Sequence, residues 1–208
     1  MKTKIIKGYL DRLIPDARCE LNYSKDYELL LATMLSAQTT DKKVNLVTEI
    51  LFEKYPTIES LANADIEEIK KIIRPIGTYN KKAKNIISIA KNLESIGCVP
   101  NDRQFLESLD GVGRKTTNVV LSNIHNVPLI AVDTHVSRVS KRLGLAKEGD
   151  TPDEIEIKLN KKFAKKDLLK LHHQLVLFGR YYCKAQSPEC ESCELKTICK
   201  YYKKKLRK

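Results

Sequence analysis

The stretch LDGVGRKTTNVV, residues 109–120, places two glycines around a valine, follows them with two basic residues and then becomes apolar at helical spacing. One helix is predicted to end near Leu109 and a second to begin at Arg114. Gly111 and Gly113 between them let the backbone turn without a Cβ. The sequence therefore predicts a helix-hairpin-helix.

The backbone of this hairpin is a candidate anion site. Bare amides in the turn, and those at the N-terminus of the next helix, where the macrodipole is positive, can hold a phosphate without reading any base. We therefore expect Gly111, Val112, Gly113 and Arg114 to contact a nucleic-acid backbone. A plain glycine-containing helix connection is the alternative, and an apolar helix opening directly after GVGRK favours phosphate binding over it.

Lys115 falls in the first turn of the second helix, where both the macrodipole and Arg114 disfavour another positive charge. A structural lysine would usually lie elsewhere. The same two effects favour the neutral amine, which is the nucleophilic form. The position suits covalent catalysis, with a phosphate-binding lysine as the alternative.

A carboxylate can return to the level of this lysine. After the second helix the chain breaks at Pro128, runs extended and apolar, and begins a new helix after Asp133. A helix from Lys115 to His125 rises about 15 Å, and an extended segment from Pro128 to Asp133 covers roughly 16 Å. Asp133 is therefore a candidate partner of Lys115 if the segment folds back, and it is also expected to cap the new helix.

Four of the six cysteines are crowded into one segment, with six, two and five residues between them: Cys183, Cys190, Cys193 and Cys199. In a reducing compartment such a group is more often a metal site than a set of disulfides. Structural zinc sites usually pair two CxxC-like knuckles, and here only Cys190 and Cys193 are so paired. The uneven loops favour a [4Fe-4S] cluster, with zinc as the alternative.

The chain is strongly basic. Its 208 residues include 38 Lys and Arg against 26 Asp and Glu, which gives a formal charge of +12. A polyanionic partner and a lysine-rich solvated surface explain this charge equally well. The first residues have no apolar signal-peptide core, and no later stretch approaches the roughly 18 unbroken apolar residues of a membrane span. We expect a cytoplasmic, nucleoid-associated protein that binds no membrane.

The predicted fold class is all-α. Apolar residues recur at three-and-four spacing almost throughout, as at Leu168, Leu171, Leu175 and Phe178. Gly, Pro and Asp positions divide the chain into about ten short helices, and no strand hairpin or repeat array is recognised. The last residues, 201–208, are interpreted as a loosely ordered basic tail.

With the hairpin, the lysine, the aspartate and the cysteine spacing in this order, the chain resembles the endonuclease III family of bifunctional DNA glycosylases in the helix-hairpin-helix superfamily. The resemblance covers nearly the whole chain and extends to three further motifs: LLLATMLSAQTTD (29–41), IGTYNKKAKNI (76–86) and VDTHVSRV (132–139). It implies base excision repair, in which oxidised pyrimidines are removed from duplex DNA. Strand cleavage by β-elimination through a lysine Schiff base then follows at the abasic site.

The resemblance also assigns roles to residues. Lys115 corresponds to the nucleophile, Asp133 to the essential carboxylate, and the four cysteines to the ligands of the [4Fe-4S] cluster. Gln38 corresponds to the residue that fills the gap left by the flipped nucleotide. The remaining implied DNA contacts are the wedge loop with Thr78, Tyr79 and Asn80, and two positions nearer the cysteines, His135 and Lys184.

In the family the chain forms two helical lobes with the active site in the groove between them. Transferred to this chain, residues 19–128 form a barrel lobe that contains the hairpin at about 104–123. Residues 1–18 and 129–208 form a cluster lobe with the cysteine loop at 183–199. The implied partner is double-stranded DNA containing damaged pyrimidines or abasic sites, bound by a monomer.

Three positions depart from the family pattern. Thr78 stands where a bulkier apolar wedge is usual, Asp110 replaces the proline of an LPGVG hairpin, and Glu189 adds a negative charge to a loop that is usually more basic. Two other functions remain as alternatives. An adenine-specific mismatch glycosylase of the same superfamily lacks the nucleophilic lysine and carries an extra C-terminal domain, and a non-catalytic DNA-binding module leaves Lys115 and Asp133 unexplained.

Overall fold

A computed structural model describes residues 1–206, and the chain divides into two compact units. The middle unit comprises residues 19–125, and the terminal unit joins residues 1–18 to the chain from residue 126 onward. All regular structure within residues 1–206 is helical, without a strand, which confirms the predicted all-α class. In the same residues no helix combines the length and the apolar character needed to cross a membrane.

The α-helices of the described residues are, in chain order, α1 (Lys2–Leu13), α2 (Asp26–Leu35), α3 (Asp41–Lys54), α4 (Ile58–Ala62), α5 (Ile66–Ile73), α6 (Tyr79–Glu94), α7 (Arg103–Ser108), α8 (Arg114–His125), α9 (Thr134–Arg142), α10 (Pro152–Lys162), α11 (Leu168–Leu177) and α12 (Lys200–Lys205). Short 3₁₀ turns form at Lys165–Asp167 and Glu194–Thr197. A π-helical turn, Phe178–Tyr182, continues α11.

Two of the helix starts predicted at Asp and Pro positions, Asp65 and Thr151-Pro152, are confirmed and have local capping signals. Asp65 caps α5 by accepting a hydrogen bond from the Glu67 amide at 2.9 Å. At α10, Thr151 accepts from the Glu154 amide at 3.3 Å, and the Glu154 carboxylate accepts from the Thr151 amide at 2.8 Å. These bonds satisfy amides that a helix N-terminus leaves without an intrahelical acceptor, so the sequence marks these starts directly.

The prediction of a loosely ordered tail is wrong for most of its length, because α12 covers its first residues. Tyr201 and Tyr202 both pack against the apolar core of the terminal unit. The Arg142 guanidinium lies 4.3 Å from the centre of the Tyr201 ring, and the Tyr202 hydroxyl donates to Glu191 at 3.0 Å. Aromatic packing therefore orders a segment whose lysines suggested a solvated tail; its last two positions, 207 and 208, lie outside the described residues.

The middle unit is built around α2. Every residue of this helix after Asp26 is buried, and the helix packs against α3, α6 and α8. A helix that is apolar on all sides must be enclosed by its neighbours, which explains the run LLLATML in its sequence. Its C-terminal end, at Leu35, leads directly into the segment that carries Gln38.

The terminal unit has its own core, to which both ends of the chain contribute. Ile6 and Leu10 of α1 are fully buried in one cluster with Val136 and Val139 of α9 and with Leu175 of α11. Burying side chains of this size contributes about 1.5–3 kcal/mol each relative to exposure. This burial explains why the N-terminal helix belongs with the second half of the chain.

His173 on α11 provides a test of the terminal core. It is 6% exposed, and burial lowers its pKa from 6.5 to about 4. His173 therefore binds a proton below about pH 6.5 in the unfolded chain, but only below about pH 4 in the folded chain. The resulting stabilisation is fully present above pH 6.5 and is lost as the pH falls towards 4, by about 2 kcal/mol at pH 5.

We predict that His173→Gln removes this part of the pH dependence. The free energy of unfolding, measured in urea at pH 7.5 and pH 5, should fall by about 2 kcal/mol less for the variant than for the wild type. Carboxylates titrate in both proteins and cancel in this comparison. An identical loss of stability in the two proteins would contradict a neutral buried His173.

Candidate active site and cysteine cavity

Lys115 is the second residue of α8, and its side chain is exposed. The opposite face of the helix is packed into the middle unit, since Thr117, Asn118 and the valines that follow are buried. The Arg103 guanidinium donates to the Asn118 side chain at 2.7 Å and ties α7 to α8. Thus the buried face of α8 begins two residues after Lys115, and its first turn presents this amine to solvent.

Gly111, Gly113 and Val112 have different structural roles in the hairpin between α7 and α8. Gly111 has a φ of +77°, and a Cβ there would lie 2.2 Å from the Asn85 side-chain nitrogen of α6. Gly113 has open space where its Cβ would be, so only Gly111 requires the missing side chain for the turn itself. Val112 is 5% exposed, and its amide donates to the Leu109 carbonyl at 3.1 Å. Val112 therefore anchors the hairpin from inside.

Two hairpin amides remain available to an outside acceptor. Within residues 1–206, the Gly111 and Gly113 amides donate to no acceptor, and both residues are exposed. The space in front of Gly113 leaves the start of α8 open, where the helix dipole is positive. The arrangement can bind an anionic oxygen through the backbone.

Asp110, which stands in place of the hairpin proline, makes a contact of its own. Its carboxylate accepts a hydrogen bond from the Ser88 hydroxyl of α6 at 2.7 Å. A proline would restrict the turn through its ring, whereas here a side-chain bond to a neighbouring helix holds it. The bond between Asp110 and Ser88 therefore takes the place of the missing proline in holding the turn.

Gln38 and Thr78 share an unusual backbone conformation. Their φ angles are +58° and +57°, in the left-handed region that favours glycine, and both side chains are exposed. Tyr79, which opens α6, is half-buried, and Asn80 is exposed. Two of the sequence-predicted DNA contacts thus lie at exposed turns of disfavoured backbone geometry.

Lys82, which the sequence analysis did not select, is 5% exposed. Its ammonium donates to the Leu35 carbonyl at 2.9 Å and to the Ala37 carbonyl at 2.8 Å. Burial lowers the pKa of Lys82. A sequence signal did exist: Lys82 lies four residues before Ile86, in line with the apolar stripe of α6, where a solvated lysine is out of place.

In the terminal unit, Asp133 is the N-cap of α9, as predicted. Its Oδ1 accepts a hydrogen bond from the Val136 amide at 2.7 Å. The residue is half-buried, and its charge acts on Arg138, whose pKa is lowered chiefly by burial and next by Arg142. Capping uses one carboxylate oxygen and leaves the negative charge in place for chemistry.

Arg138 connects His135 to the first cysteine. Its guanidinium lies 3.2 Å from His135 Nδ1, donates to the Gly179 carbonyl at 2.6 Å and donates to the Cys183 carbonyl at 3.1 Å. Arginine suits this task because its planar fork of donors reaches several acceptors at once. Helix α9 thereby begins at the cap Asp133 and supplies the contacts that hold the start of the cysteine loop.

The four predicted cysteine ligands line one cavity, together with Tyr9 and Tyr202. Burial raises the pKa of the Cys190 and Cys193 thiols. Burial, with a smaller contribution from Cys193, raises the pKa of Tyr9 to about 12. The structure therefore brings the four sulfur atoms to a common, largely apolar space.

Arg142 holds the loop that carries these cysteines. It donates to the Lys184 carbonyl at 2.6 Å and to the Ala185 carbonyl at 3.0 Å. It also reaches the Cys183 sulfur at 3.4 Å, and the Cys199 thiol donates back to the Arg142 carbonyl at 3.3 Å. Sequence reasoning missed this residue, because its partners lie more than forty positions away.

Lys184, a predicted DNA contact, is paired with Glu189. The two side chains lie 2.9 Å apart and both are about half exposed. A surface ion pair of this kind contributes little to stability. It does, however, place a negative charge beside the only lysine between Cys183 and Cys190.

The predicted site residues fall into two sets, one in each unit. The middle unit contains Gln38, Thr78, Tyr79, Asn80, Gly111, Val112, Gly113, Arg114 and Lys115, and the terminal unit contains Asp133, His135, Lys184, Cys183, Cys190, Cys193 and Cys199. Within the middle unit, α6 contacts both the segment before Gln38 and the hairpin. Within the terminal unit, α9 links Asp133 and His135 to the cysteine loop.

Comparison with known proteins identifies relatives of the whole chain. Residues 31–165 match the model of the HhH-GPD superfamily of base excision DNA repair proteins. Endonuclease III of Bacillus subtilis (strain 168) is 46% identical over 213 residues, covering 100% of this chain and 97% of that protein. Endonuclease III of Escherichia coli (strain K12) is 43% identical over 192 residues, covering 91% and 90%.

Solved structures give the same result. A non-covalent endonuclease III–DNA complex superposes with a TM-score of 0.94 at 47% identity, covering 100% of this chain and 99% of that one. A trapped endonuclease III–DNA covalent intermediate gives a TM-score of 0.93 at 47% identity, with the same coverage. A thermostable thymine-DNA glycosylase, at 23% identity and a TM-score of 0.87, shares the fold.

The left-handed backbone at Gln38 leads to a stability prediction. Glycine adopts this conformation without a Cβ penalty, so Gln38→Gly should be more stable than Gln38→Ala by about 1 kcal/mol. Ser36, two residues earlier, has ordinary helical angles, and there the order should reverse, with Ser36→Ala more stable than Ser36→Gly. Urea unfolding of the four variants tests both orders, and the same order at the two positions would contradict the conformation described for Gln38.

Proposed function

The chain belongs to the HhH-GPD superfamily of base excision DNA repair proteins and, within it, to the endonuclease III family, and we propose that Lys115 and Asp133 perform its chemistry. It is a DNA glycosylase and abasic-site lyase of base excision repair. The observation that carries the residue assignment is the position of Lys115, exposed in the first turn of α8 directly after the glycine hairpin.

The proposed reaction begins at the sugar of an extruded nucleotide. The neutral amine of Lys115 attacks C1′, the bond from C1′ to the base breaks, and the base leaves with the electron pair and takes up a proton. The Asp133 carboxylate stabilises the positive charge that develops on the sugar and assists removal of the proton from the attacking amine. The C1′–O4′ bond then breaks as the nitrogen lone pair forms the C=N bond, O4′ takes up a proton, and the product is an imine between Lys115 and the opened sugar.

Strand cleavage follows from the same imine. In its protonated form it acidifies the C2′ proton, whose loss forms a C2′–C3′ double bond as the C3′–oxygen bond breaks and the 3′ phosphate departs. Water then hydrolyses the imine and restores the lysine. The electron pairs of the broken bonds pass to the departing base, to O4′ and to the departing phosphate.

DNA contacts are proposed to be of two kinds. The Gly111 and Gly113 amides, with Arg114, hold a phosphate, and Val112 supports them from the interior. Gln38 and the turn of Thr78, Tyr79 and Asn80 enter the duplex where the damaged nucleotide leaves it, and His135 adds a contact from α9. Lys184 contributes weakly because of its pairing with Glu189.

Oxidised pyrimidines and abasic sites in duplex DNA are the proposed substrates. The contacts above engage backbone and gap, so selectivity comes from the lower cost of extruding a damaged base and not from base sequence. With a formal charge of +12, binding should weaken steeply with salt. We propose that the protein acts as a monomer on cytoplasmic DNA, with residues 19–128 as its barrel lobe and the remaining residues as its cluster lobe.

The four cysteines are proposed to hold a [4Fe-4S] cluster. Four thiolates on a single zinc ion would bring their sulfur atoms to within about 3.8 Å of one another, given Zn–S bonds of about 2.3 Å. The four cysteines line one cavity, which supports a metal group shared by all four. A cubane takes one iron per cysteine and suits their uneven spacing of six, two and five residues; when bound it would join the two ends of the cysteine loop.

Replacing Lys115 tests the covalent step. Lys115→Gln should abolish both base release and borohydride trapping of the enzyme on an abasic duplex. Its affinity for a duplex with a tetrahydrofuran abasic analogue should stay within about threefold of the wild type, because one cation among many contributes little to phosphate binding. Lys84→Gln, which removes an exposed charge from α6, is the matched control and should still be trapped.

Trapping of Lys115→Gln would identify another amine as the nucleophile. Absence of strand cleavage by the wild type on an abasic duplex would instead favour a non-catalytic DNA-binding module. If the wild type does not cleave abasic DNA but releases adenine from a mismatch, it would be an adenine-specific mismatch glycosylase.

Replacing Asp133 tests the charge separately from the cap. Asparagine caps helices as well as aspartate, so Asp133→Asn should retain the bond to the Val136 amide and the fold. Base release should slow by about 10²–10³-fold, since the lost charge acts mainly in the transition state. Asp102→Asn, at the equivalent cap of α7, should leave single-turnover rates unchanged, and equal losses in both variants would contradict the role of Asp133.

The cluster assignment predicts a brown protein with about four iron and four sulfide per chain. Cys193→Ser should lose colour, stability and DNA affinity, whereas Cys98→Ser, at an exposed cysteine outside the cavity, should lose none of them. Metal analysis and the visible spectrum after anaerobic purification provide the measurement. Zinc in place of iron would overturn the assignment.

A further inference from the structure

One buried residue contacts both exposed turns of the middle unit. The Lys82 side chain bonds to the Leu35 and Ala37 carbonyls, immediately before Gln38. Lys82 lies in the first turn of α6, where its backbone amide and that of Lys81 both donate to the carbonyl of the N-cap Thr78 at 3.1 Å. The Lys82 side chain therefore ties the segment that presents Gln38 to the helix start that presents Thr78.

The surroundings of Lys82 exclude an ordinary surface role. The residue is 5% exposed, and its ammonium points to the C-terminal end of α2, where helix carbonyls lack intrahelical donors and carry the negative end of the macrodipole. A buried cation is stable only where such acceptors receive it. Its charge is therefore committed to the protein backbone and does not reach a phosphate.

The two linked turns share a further property. Gln38 and Thr78 both adopt left-handed backbone angles, which are unfavourable for a non-glycine residue and persist only where the surrounding structure enforces them. The two side-chain bonds from Lys82 hold the carbonyls just before Gln38 against the first turn of α6, which follows directly on Thr78.

We propose that Lys82 is a positioning residue that holds the Gln38 and Thr78 turns in the arrangement required to enter DNA at an extruded nucleotide. The proposal rests on the function proposed for these two turns. Lys82 orders the two turns when the protein folds, so the conformational entropy of ordering them is not lost again on DNA binding. Its removal should weaken binding only where the turns must enter the duplex, and should leave contacts with intact phosphate backbone unchanged.

The test compares Lys82→Met with Lys84→Met. Both variants lose one charge from α6, but Lys84 is exposed and Lys82 is buried. Each is titrated with a duplex that contains a tetrahydrofuran abasic analogue opposite 2-aminopurine, and with the same duplex without the lesion. Fluorescence of 2-aminopurine reports unstacking of the opposite strand.

Lys82→Met should bind the lesion duplex at least about tenfold more weakly than the wild type and show a smaller fluorescence rise, while its affinity for the intact duplex stays within about twofold. Lys84→Met should change both affinities by a similar small factor. In a Gln38→Ala background, Lys82→Met should have a smaller further effect than in the wild type, because only the Thr78 turn then still enters the duplex.

Equal weakening on both duplexes, or behaviour matching Lys84→Met, would overturn the proposal. If Lys82→Met fails to fold, Lys82→Gln replaces it, because its shorter, uncharged side chain cannot make both bonds of the ammonium. Wild-type lesion affinity in that variant would also overturn the proposal. Borohydride trapping by Lys82→Met at saturating concentration should persist, because Lys115 is intact. If the wild type itself were not trapped by borohydride, the proposed function would be contradicted. Lesion affinity, measured in a separate titration, tests only the role of Lys82.

Discussion

The close approach of the hairpin to helix α6 is the constraint on which the rest of the candidate site depends. A Cβ at Gly111 would collide with Asn85, and Asp110 is bonded to Ser88 one turn further along the same helix. These contacts fix where α8 begins, and the start of α8 fixes where Lys115 is presented. The same helix, through Lys82, holds the segment that carries Gln38.

The sequence predicted the features that local chemistry decides. The hairpin, the start of α8 and the capping of α9 by Asp133 are each determined within a few residues by a glycine, a break or a cap, and each is confirmed. The partners of Lys82 and Arg142 lie more than forty positions away along the chain. Periodicity shows that such a residue falls on a buried face, but not which acceptors will meet it there.

The errors have equally specific causes. Residues 201–205 appeared to form a solvated tail because their lysines outnumber their apolar neighbours, yet two tyrosines and Arg142 order them as a helix. The sequence predicts that both Gly111 and Gly113 are needed for the turn, but only Gly111 needs the missing Cβ. In both cases composition was a poor guide, because a few contacts from distant residues decided the local structure.

Arg142 holds the cysteine loop through hydrogen bonds to the main-chain carbonyls of Lys184 and Ala185. Every amino acid supplies a carbonyl, so this attachment is indifferent to the side chains of the residues it holds. The charged side chains between Cys183 and Cys190, such as the pair Lys184 and Glu189, are therefore independent of the contacts with Arg142 that set the path of the loop. Surface charge and backbone path are separate properties of this segment, so one can change while the other stays the same.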